Sequence, residues 1–223
     1  AMILAAGVGE RMRPLTDHTP KPLLLAGGIP LIEYHLRALA GAGFREVVIN
    51  VSHLAGQIIE ACGDGERWGL SIAYSEEDEP LETAGGIQRA LPLLGGGDFL
   101  VVNGDVWSDF PFELLAGTAL REGEGARLVF VDNPPQHPDG DFVVDEAGWV
   151  GRRPAGARGL TYAGIARYST AFFDGVSPGK LPMRPLFDAA ADARSLGGHY
   201  FGGRWHDVGT PERLRLLDEA LSA

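Results

Sequence analysis

Three cationic side chains follow a glycine-containing turn near the start of the chain. The apolar residues that open the sequence predict a buried strand, and Gly7 and Gly9 after it allow the backbone to turn sharply and to approach a ligand closely. Arg11, Arg13 and Lys21 then fall within one loop. Successive backbone N–H groups in such a turn form a concave anion site. The combination indicates a site for a nucleoside triphosphate.

The spacing excludes two common phosphate-binding motifs. A dinucleotide fingerprint needs a third glycine, and this chain has Met12 at that position. A P-loop needs a Gly-Lys pair followed by Ser or Thr, but Gly179-Lys180 is followed by Leu181. Two glycines alone also fit an ordinary turn at the end of a strand. The cations and the segment Pro20-Lys21-Pro22 therefore distinguish a phosphate site from such a turn.

Two aspartates follow predicted strands and are candidates for holding a metal ion. Asp105 ends the segment Asn103-Gly104-Asp105 after an apolar strand, and Asp207 precedes Val208-Gly209-Thr210-Pro211. Carboxylate oxygens suit Mg²⁺, which usually binds through one or two carboxylates together with substrate phosphate. The alternatives are a turn aspartate that bonds its own backbone at Asp105 and a residue just before the last helix at Asp207. We interpret His206 as structural.

The segments 4–16 and 20–23 together resemble the signature of the sugar-1-phosphate nucleotidylyltransferases, and the resemblance covers nearly the whole chain. It implies a Mg²⁺-dependent enzyme that joins a sugar 1-phosphate to UTP and releases pyrophosphate. Residues 80–86 resemble the nucleobase loop of that family, and Tyr162-Ala163-Gly164-Ile165 resembles the strand beneath its sugar pocket. Relatives often have glycine where this chain has Glu82, so the role of that residue stays open.

The resemblance also implies a role for individual residues. Arg11 and Lys21 are the expected catalytic groups, and Asp105 and Asp207 the expected metal ligands. The residues expected to bind the nucleotide are Leu4, Ala5, Ala6, Gly7, Gly9, Arg11, Arg13, Thr83, Ala84, Gly85 and Asn103. Those expected to bind the sugar are Lys21, Gly140, Arg152, Tyr162 and Gly164.

An arginine pair departs from the family pattern. Many relatives carry an acidic residue before a Lys-Pro where this chain has Arg152-Arg153-Pro154. Arginine recognises carboxylates through a bidentate fork, so the pair favours a sugar that itself carries a carboxylate, such as N-acetylmuramic acid. The resemblance to the family implies UDP-N-acetylmuramic acid, a nucleotide sugar of cell-wall recycling, as the product. An exposed arginine pair without function is the alternative. The acidic run at residues 76–79 is predicted to be an exposed charged loop rather than a metal site.

Rival functions remain open. A mannose-1-phosphate guanylyltransferase, or another hexose-1-phosphate nucleotidylyltransferase, differs mainly in the width of the base pocket. A non-catalytic nucleotide-sugar sensor would be favoured by loss of Lys21 or of a metal aspartate, and all of them are present. A dinucleotide-dependent oxidoreductase is disfavoured because the third glycine is missing.

Alternating strand-like and helix-like segments must position these residues. The alternation predicts an α/β fold, Rossmann-like, with a mainly parallel central sheet flanked by helices and a smaller sugar-binding β subregion; the resemblance implies a GT-A-like nucleotidyltransferase. In such sheets ligands bind at the carboxyl ends of the strands. We expect a single domain over residues 1–223, with a nucleotide part at about 1–110 and a sugar part at about 111–223. The expected strands are 1–4, 46–51, 71–74, 98–102, 126–131, 141–145, 149–152 and 160–168, and the expected helices 30–41, 54–62, 83–91 and 211–221.

Composition limits the class of protein further. The net charge of −11 argues against a general nucleic-acid binder, which would show a basic face. No apolar run approaches the ~20 residues of a membrane span. The single cysteine, Cys62, excludes an internal disulfide and fits a reducing compartment. We therefore expect a cytoplasmic protein with small-molecule substrates and without a nucleic-acid, membrane or obligate protein partner.

Overall fold

A seven-stranded sheet forms the centre of the protein in the computed structural model, which describes residues 1–222. The strands are β1 (Met2–Leu4), β2 (Leu25–Ala26), β3 (Ile29–Pro30), β4 (Glu46–Val51), β5 (Ser71–Glu76), β6 (Phe99–Asn103), β7 (Val106–Ser108), β8 (Ala126–Val131), β9 (Phe142–Val144), β10 (Val150–Arg152), β11 (Thr161–Tyr168), β12 (Leu196–Tyr200) and β13 (Trp205–Asp207). The helices are α1 (Leu31–Gly41), α2 (Ala55–Cys62), α3 (Glu82–Leu94), α4 (Glu113–Ala116), α5 (Arg184–Asp192) and α6 (Pro211–Ser222).

The central sheet is mainly parallel and has the order β12-β8-β11-β6-β1-β4-β5. Parallel pairs join β1 to β4 and β6, β4 to β5, and β8 to β12, whereas β11 runs antiparallel to β6 and β8. Parallel neighbours need crossover connections, which α1, α2 and α3 supply. The predicted fold class is confirmed. In register, Leu4 lies opposite both Asn50 and Asn103, so the carboxyl ends of three strands meet at one edge.

Helices cover both faces of the sheet, and alternate strand residues contribute to each face. Ile3 packs with Leu36 of α1 and Ile58 of α2 in one cluster, whereas Met2 packs with Ile87 of α3 and Phe187 of α5 in another. Burial on both faces explains why the central strands are continuously apolar.

A third apolar cluster holds the last helix against the first half of the chain. Leu217 of α6 packs with Ala26 of β2 and with the buried side chain of Met12. The predicted start of α6 is confirmed, because the backbone N–H of Arg213 donates to Thr210 Oγ1 at 3.3 Å. This packing brings residues near position 208 beside the loop that carries Lys21.

Most predicted elements agree with the structure, and the differences lie in the second half and at α3. Helix α3 begins at Glu82 and runs through Pro92 to Leu94, beyond the predicted residues 83–91. Sequence patterns did not indicate α5, β12 or the pairing of β7 with β13. None of the helices within residues 1–222 has the length and apolar character needed to cross a membrane.

Candidate active site

A cleft of about 570 Å³ opens at the carboxyl edge of β1 and β6. Ten of the residues predicted from the sequence line this cleft. They are Leu4, Ala5, Ala6, Gly7, Gly9, Arg11, Lys21, Thr83, Asn103 and Asp105. The structure therefore brings the glycine-containing turn, the first arginine, the lysine and one aspartate to a single place.

The turn after β1 is shaped for close approach. A side chain at Gly7 would point into open space, so the backbone there is accessible from the cleft. Gly9 has φ +70°, a conformation that favours glycine, and a Cβ there would lie 2.9 Å from Thr16 Cγ2. The carbonyl of Gly9 accepts hydrogen bonds from the Thr16 hydroxyl and the Met12 N–H, both at 2.8 Å. The loop is therefore ordered by its own contacts.

The two arginines of this loop have different environments. Arg11 is exposed and lines the cleft, and no ion pair involves it within residues 1–222. Arg13 instead lies 3.4 Å from Asp17 through its Nε atom and does not line the cleft. The geometry thus favours Arg11 as the arginine that meets a bound anion.

Lys21 and Asp105 form an ion pair across the cleft. Lys21 is only 8 % exposed, and its Nζ lies 2.7 Å from Asp105 Oδ2. Asp105 is held in place by its neighbour, because the N–H of Gly104 donates to the carbonyl of Leu4 at 2.8 Å. A Cβ at Gly104 would lie 2.6 Å from that oxygen, so the contact requires glycine. His35 also supports this turn: its ring Nε2–H donates to the carbonyl of Val106 at 2.9 Å, and burial lowers the pKa of His35 to about 4.

Asp207 lies close to Asp105 through the backbone but does not line the cleft. Strand β13 places Asp207 opposite Val106 of β7, and the N–H of Val208 donates to the carbonyl of Asp105 at 2.9 Å. The carboxylate of Asp207 forms an ion pair with Arg213. Within the described residues, no group of three or more His, Cys, Asp or Glu side chains is placed to hold a metal ion.

Two of the residues predicted to bind the nucleobase lie behind the cleft. The N–H groups of Ala84 and Gly85 donate to the carbonyl of Leu181 at 3.0 and 3.1 Å, and a Cβ at Gly85 would lie 2.1 Å from the Gly179 oxygen. The small residues here thus leave room for the neighbouring segment at residues 179–181. Glu82, which does line the cleft, has φ +60°, and this explains why glycine suits the position in relatives.

The burial of Glu77 contradicts the prediction that residues 76–79 form an exposed acidic loop. Glu76, Asp78 and Glu79 are exposed, but Glu77 is only 5 % exposed and lines the cleft. Its carboxylate accepts hydrogen bonds from the side chain of Asn50 at 2.7 Å and from the N–H of Leu81 at 2.8 Å. A run of acidic residues in a sequence does not reveal which member points inward.

Of the residues predicted to bind the sugar, Lys21 lines this cleft, whereas Gly140, Arg152, Tyr162 and Gly164 do not. Gly164 has φ +72° at an irregularity in β11 and packs against Asn103. Tyr162 packs against Phe187 in the second core cluster, and burial raises the pKa of its hydroxyl above the usual range. Gly140 has φ +71° and lies close to Asn133.

The arginine segment also differs from the sequence-based expectation. The guanidinium of Arg152 pairs with Asp192 of α5, and Arg153 donates to the carbonyl of Ala157 at 2.7 Å. Arg158, which sequence reasoning did not single out, lines a second cavity of about 620 Å³ with Asn133. No ion pair within residues 1–222 involves Arg158. Arg152 therefore already has a carboxylate partner, whereas Arg158 does not.

The fold and the cleft define an α/β protein with a cleft at the carboxyl edge of a mainly parallel sheet, and comparison with known proteins gives the family. Residues 1–152 match the family model described as nucleotidyl transferase, and the chain belongs to this family.

Among its relatives, the chain is 50% identical over 219 residues to the N-acetylmuramate alpha-1-phosphate uridylyltransferase of Neisseria meningitidis serogroup B, covering 96% of this chain and 95% of the relative. It is 32% identical over 222 residues to the mannose-1-phosphate guanylyltransferase catalytic subunit beta of Drosophila pseudoobscura pseudoobscura, of which it spans 59%. A solved structure described as a glucose-1-phosphate thymidylyltransferase from Bacillus anthracis superposes with TM-score 0.87 at 21% identity, covering 99% of this chain and 94% of that one. This last likeness concerns the fold.

Proposed function

We propose that this protein converts UTP and N-acetylmuramic acid α-1-phosphate to UDP-N-acetylmuramic acid and pyrophosphate. The observation that carries the proposal is the 50% identity to a uridylyltransferase of that name over 96% of the chain. The guanylyltransferase relatives, at 32% identity, fit this chain less well. The cleft supports the proposal because its glycine turn, arginine and lysine are the groups that a triphosphate and a sugar phosphate require.

The reaction is an in-line displacement at phosphorus. An oxygen of the sugar phosphate attacks the α-phosphorus of UTP, the bond from that phosphorus to the bridging oxygen breaks, and pyrophosphate leaves. Such a transfer depends on positioning and on charge stabilisation more than on covalent help from the protein. The protein must therefore hold two polyanions together and offset their repulsion.

Different cationic and backbone groups of the cleft bind the two polyanions. The backbone of the turn at residues 7–9 and the side chain of Arg11 hold the triphosphate, and Arg11 offsets charge that grows on the leaving pyrophosphate. Lys21 attracts the sugar phosphate and neutralises its repulsion with the nucleotide. Because Lys21 is nearly buried beside Asp105, its ammonium keeps a fixed position without substrate.

The donor set fits Mg²⁺. Asp105 and Asp207 offer carboxylate oxygens at the ends of neighbouring segments, and Mg²⁺ commonly uses one or two carboxylates with substrate phosphate. When bound, the ion would polarise the α-phosphate and stabilise its transition-state charge. Binding would require Asp207 to share its carboxylate with Arg213 or to exchange partners.

The lactyl carboxylate of the sugar is expected to meet an arginine in the second half of the chain. Arg158 is the better candidate because it lines a cavity and has no carboxylate partner within residues 1–222, whereas Arg152 does not line that cavity and pairs with Asp192. We place the reaction in the cytoplasm, as part of peptidoglycan recycling. The single cysteine, which is buried and free, is compatible with a reducing compartment.

Product analysis tests the proposal. The protein is incubated with Mg²⁺, UTP and N-acetylmuramic acid 1-phosphate, and both products are followed by mass spectrometry and by pyrophosphate release. We expect UDP-N-acetylmuramic acid and pyrophosphate in equal amounts, with a large loss of both in Lys21→Ala. Formation of GDP-mannose from GTP and mannose 1-phosphate in place of this product would support the guanylyltransferase instead.

A further inference from the structure

A buried chain of hydrogen bonds connects the two loops that flank the nucleotide side of the cleft. The N–H of Ala5 donates to Asn50 Oδ1 at 2.8 Å, and Asn50 Nδ2 donates to Glu77 Oε1 at 2.7 Å. The other carboxylate oxygen, Oε2, accepts from the N–H of Leu81 at 2.8 Å. Ala5, Asn50 and Glu77 are each at most 5 % exposed.

The chain of bonds spans the edge of the sheet where ligands bind. Ala5 follows β1 at the start of the glycine turn, Asn50 lies near the end of β4, and Glu77 follows β5. Leu81 directly precedes α3 and the segment expected to face the base. The separation between the turn and this segment is therefore set by two side chains, both of which line the cleft.

The direction of these bonds explains why residue 77 is an acid. Both ends of the chain are backbone N–H groups, which only donate. Asn50 must turn its oxygen to Ala5, so its amide nitrogen faces residue 77. That residue must then accept at both of its terminal atoms, and a carboxylate does so whereas an amide does not.

Two further features indicate that the arrangement is specific. A Cβ at Gly86 would lie 2.7 Å from Glu77 Oε1 and 2.8 Å from Asn50 Nδ2, so a glycine leaves room for the bond between them. No ion pair within residues 1–222 includes Glu77, so neutral donors alone compensate its charge. Burial of a carboxylate without a cationic partner costs free energy of folding. The presence of Glu77 here therefore indicates that the geometry of its hydrogen bonds is needed.

We propose that Glu77, acting through Asn50, is a positioning residue that fixes the glycine turn and the nucleobase segment at one separation, so that both ends of a nucleoside triphosphate are bound together. This inference rests on the proposed nucleotidylyltransferase function but concerns nucleotide binding alone, whichever sugar is used.

Reversing the central bond tests the inference. In Glu77→Gln two donors face each other, and in Asn50→Asp two carboxylates do. In the double variant Asn50→Asp/Glu77→Gln every donor again meets an acceptor, with the middle bond running the opposite way. A buried polar group left unpaired changes an equilibrium constant by about tenfold or more, and the turn or the base segment must shift to relieve it. We therefore expect each single variant to raise the Kd for the triphosphate by about that factor. The double variant is expected to return to within about threefold of the wild-type Kd.

Calorimetry with each of UTP, GTP, ATP and dTTP, without sugar phosphate, measures the Kd independently of turnover. Glu79→Gln, an exposed acid of the same loop, is the matched control and should bind like wild type. We also expect the KM for the sugar phosphate to stay unchanged in folded single variants, which a merely structural role would not predict.

The outcomes separate the two proposals. Single variants that bind the triphosphate as well as wild type, or a double variant that recovers nothing, would overturn the role of Glu77 while leaving the reaction intact. If the single variants fail to fold, a folded double variant with near wild-type affinity supports the inference, and an unfolded or non-binding one refutes it. Absence of triphosphate binding to the wild-type protein would overturn both this inference and the proposed function.

Discussion

Lys21 forms an ion pair with Asp105 before any substrate is bound. Its ammonium is 2.7 Å from Asp105 and nearly buried, whereas Arg11 is exposed and lacks an ion-pair partner within residues 1–222. A buried ion pair is retained only when its geometry is good, and removal of one partner leaves a charge that is poorly solvated. The pair therefore couples the position of the Lys21 ammonium, which we propose attracts the sugar phosphate, to that of Asp105, a candidate metal ligand.

Replacing either candidate metal ligand should be severe. Asp105→Asn and Asp207→Asn keep the size of the side chain and remove its charge, and we expect turnover to fall by about a hundredfold or more in each. Asp105→Asn should also lower the free energy of unfolding, because Lys21 loses its partner. The measurement is kcat across a Mg²⁺ titration, combined with denaturant unfolding.

The matched control for these variants is Asp109→Asn. Asp109 pairs with Arg204 at 2.9 Å and is as exposed as Asp105, but it does not line the cleft. It should retain turnover. An Asp105 or Asp207 variant that is folded and fully active at saturating Mg²⁺ would remove that residue from the metal site.

Two arginines allow a matched comparison of sugar recognition. Arg158→Ala should reduce the preference for N-acetylmuramic acid 1-phosphate over N-acetylglucosamine 1-phosphate by roughly tenfold. The two sugars differ by the lactyl arm, and a hydrogen bond between its carboxylate and an arginine contributes on the order of 1.5–3 kcal/mol. Arg152→Ala, whose guanidinium pairs with Asp192, should change the preference little. The ratio of kcat/KM for the two sugars measures this. The opposite ranking of the two variants would return the role to Arg152.

The cleft residues could be predicted where residue types and their spacing along the chain identify them. They could not be predicted where the direction of a side chain in the fold determines its partner. The glycine turn with Arg11 and Lys21 is a local pattern, so the sequence was sufficient to indicate it. The partner of Arg152 is 40 positions away at Asp192, and no local pattern shows that pairing. Which acid of residues 76–79 is buried depends on the end of β5, so Glu77 was missed.

At the scale of elements, helix α1 supports the turn that presents Asp105. His35 of α1 donates to the carbonyl of Val106, the residue that follows Asp105 and begins β7. Burial disfavours the charged imidazolium and lowers the pKa of His35 from 6.5 to about 4. The buried imidazole is therefore neutral near pH 7.

Burial of the His35 ring makes the stability of the protein depend on pH. Between about pH 6.5 and 4 the unfolded chain binds a proton at His35 that the folded protein does not, so the free energy of unfolding falls as the pH falls. The contribution of this group across that window is about 3 kcal/mol. Denaturant unfolding at several pH values should show a shallower decline in His35→Gln than in wild type. His18→Gln, at an exposed histidine, should follow wild type, and equal slopes in all three proteins would contradict the account.

Elements with a strong local pattern were predictable, and those specified by tertiary contacts were not. The strands 46–51 and 126–131 agree with the prediction at both ends because they are apolar runs bounded by polar or glycine residues. Strand β12 contains Gly197-Gly198-His199, which lack strand propensity, and it forms because β8 offers a parallel neighbour. Helix α5 contains a proline near its start and is anchored by Phe187.

At the scale of the whole molecule, one sheet joins the two halves of the chain. Strand β6 of the first half pairs with β11 of the second, with Val102 opposite Ile165. Removal of residues 111–223 would expose that edge and the apolar faces of β6. We therefore propose that the two parts form one folding unit.

Unfolding experiments test whether the two parts of the chain form one cooperative folding unit. Urea transitions followed by far-ultraviolet circular dichroism and by tryptophan fluorescence should coincide, because a single cooperative unit has no populated intermediate. A fragment of residues 1–110 should lack a cooperative transition. Two separate transitions in the whole chain, or a stably folded fragment, would show that the parts fold independently.

The most direct measurement of the central claim is a competition within one reaction mixture. Equal concentrations of UTP and GTP are supplied with equal concentrations of N-acetylmuramic acid 1-phosphate and mannose 1-phosphate, and the initial nucleotide sugars are quantified by mass spectrometry. Relative rates of formation then give the ratios of kcat/KM directly. The account predicts that UDP-N-acetylmuramic acid predominates by about tenfold or more over every other combination. Predominance of GDP-mannose, or equal use of all combinations, would contradict it.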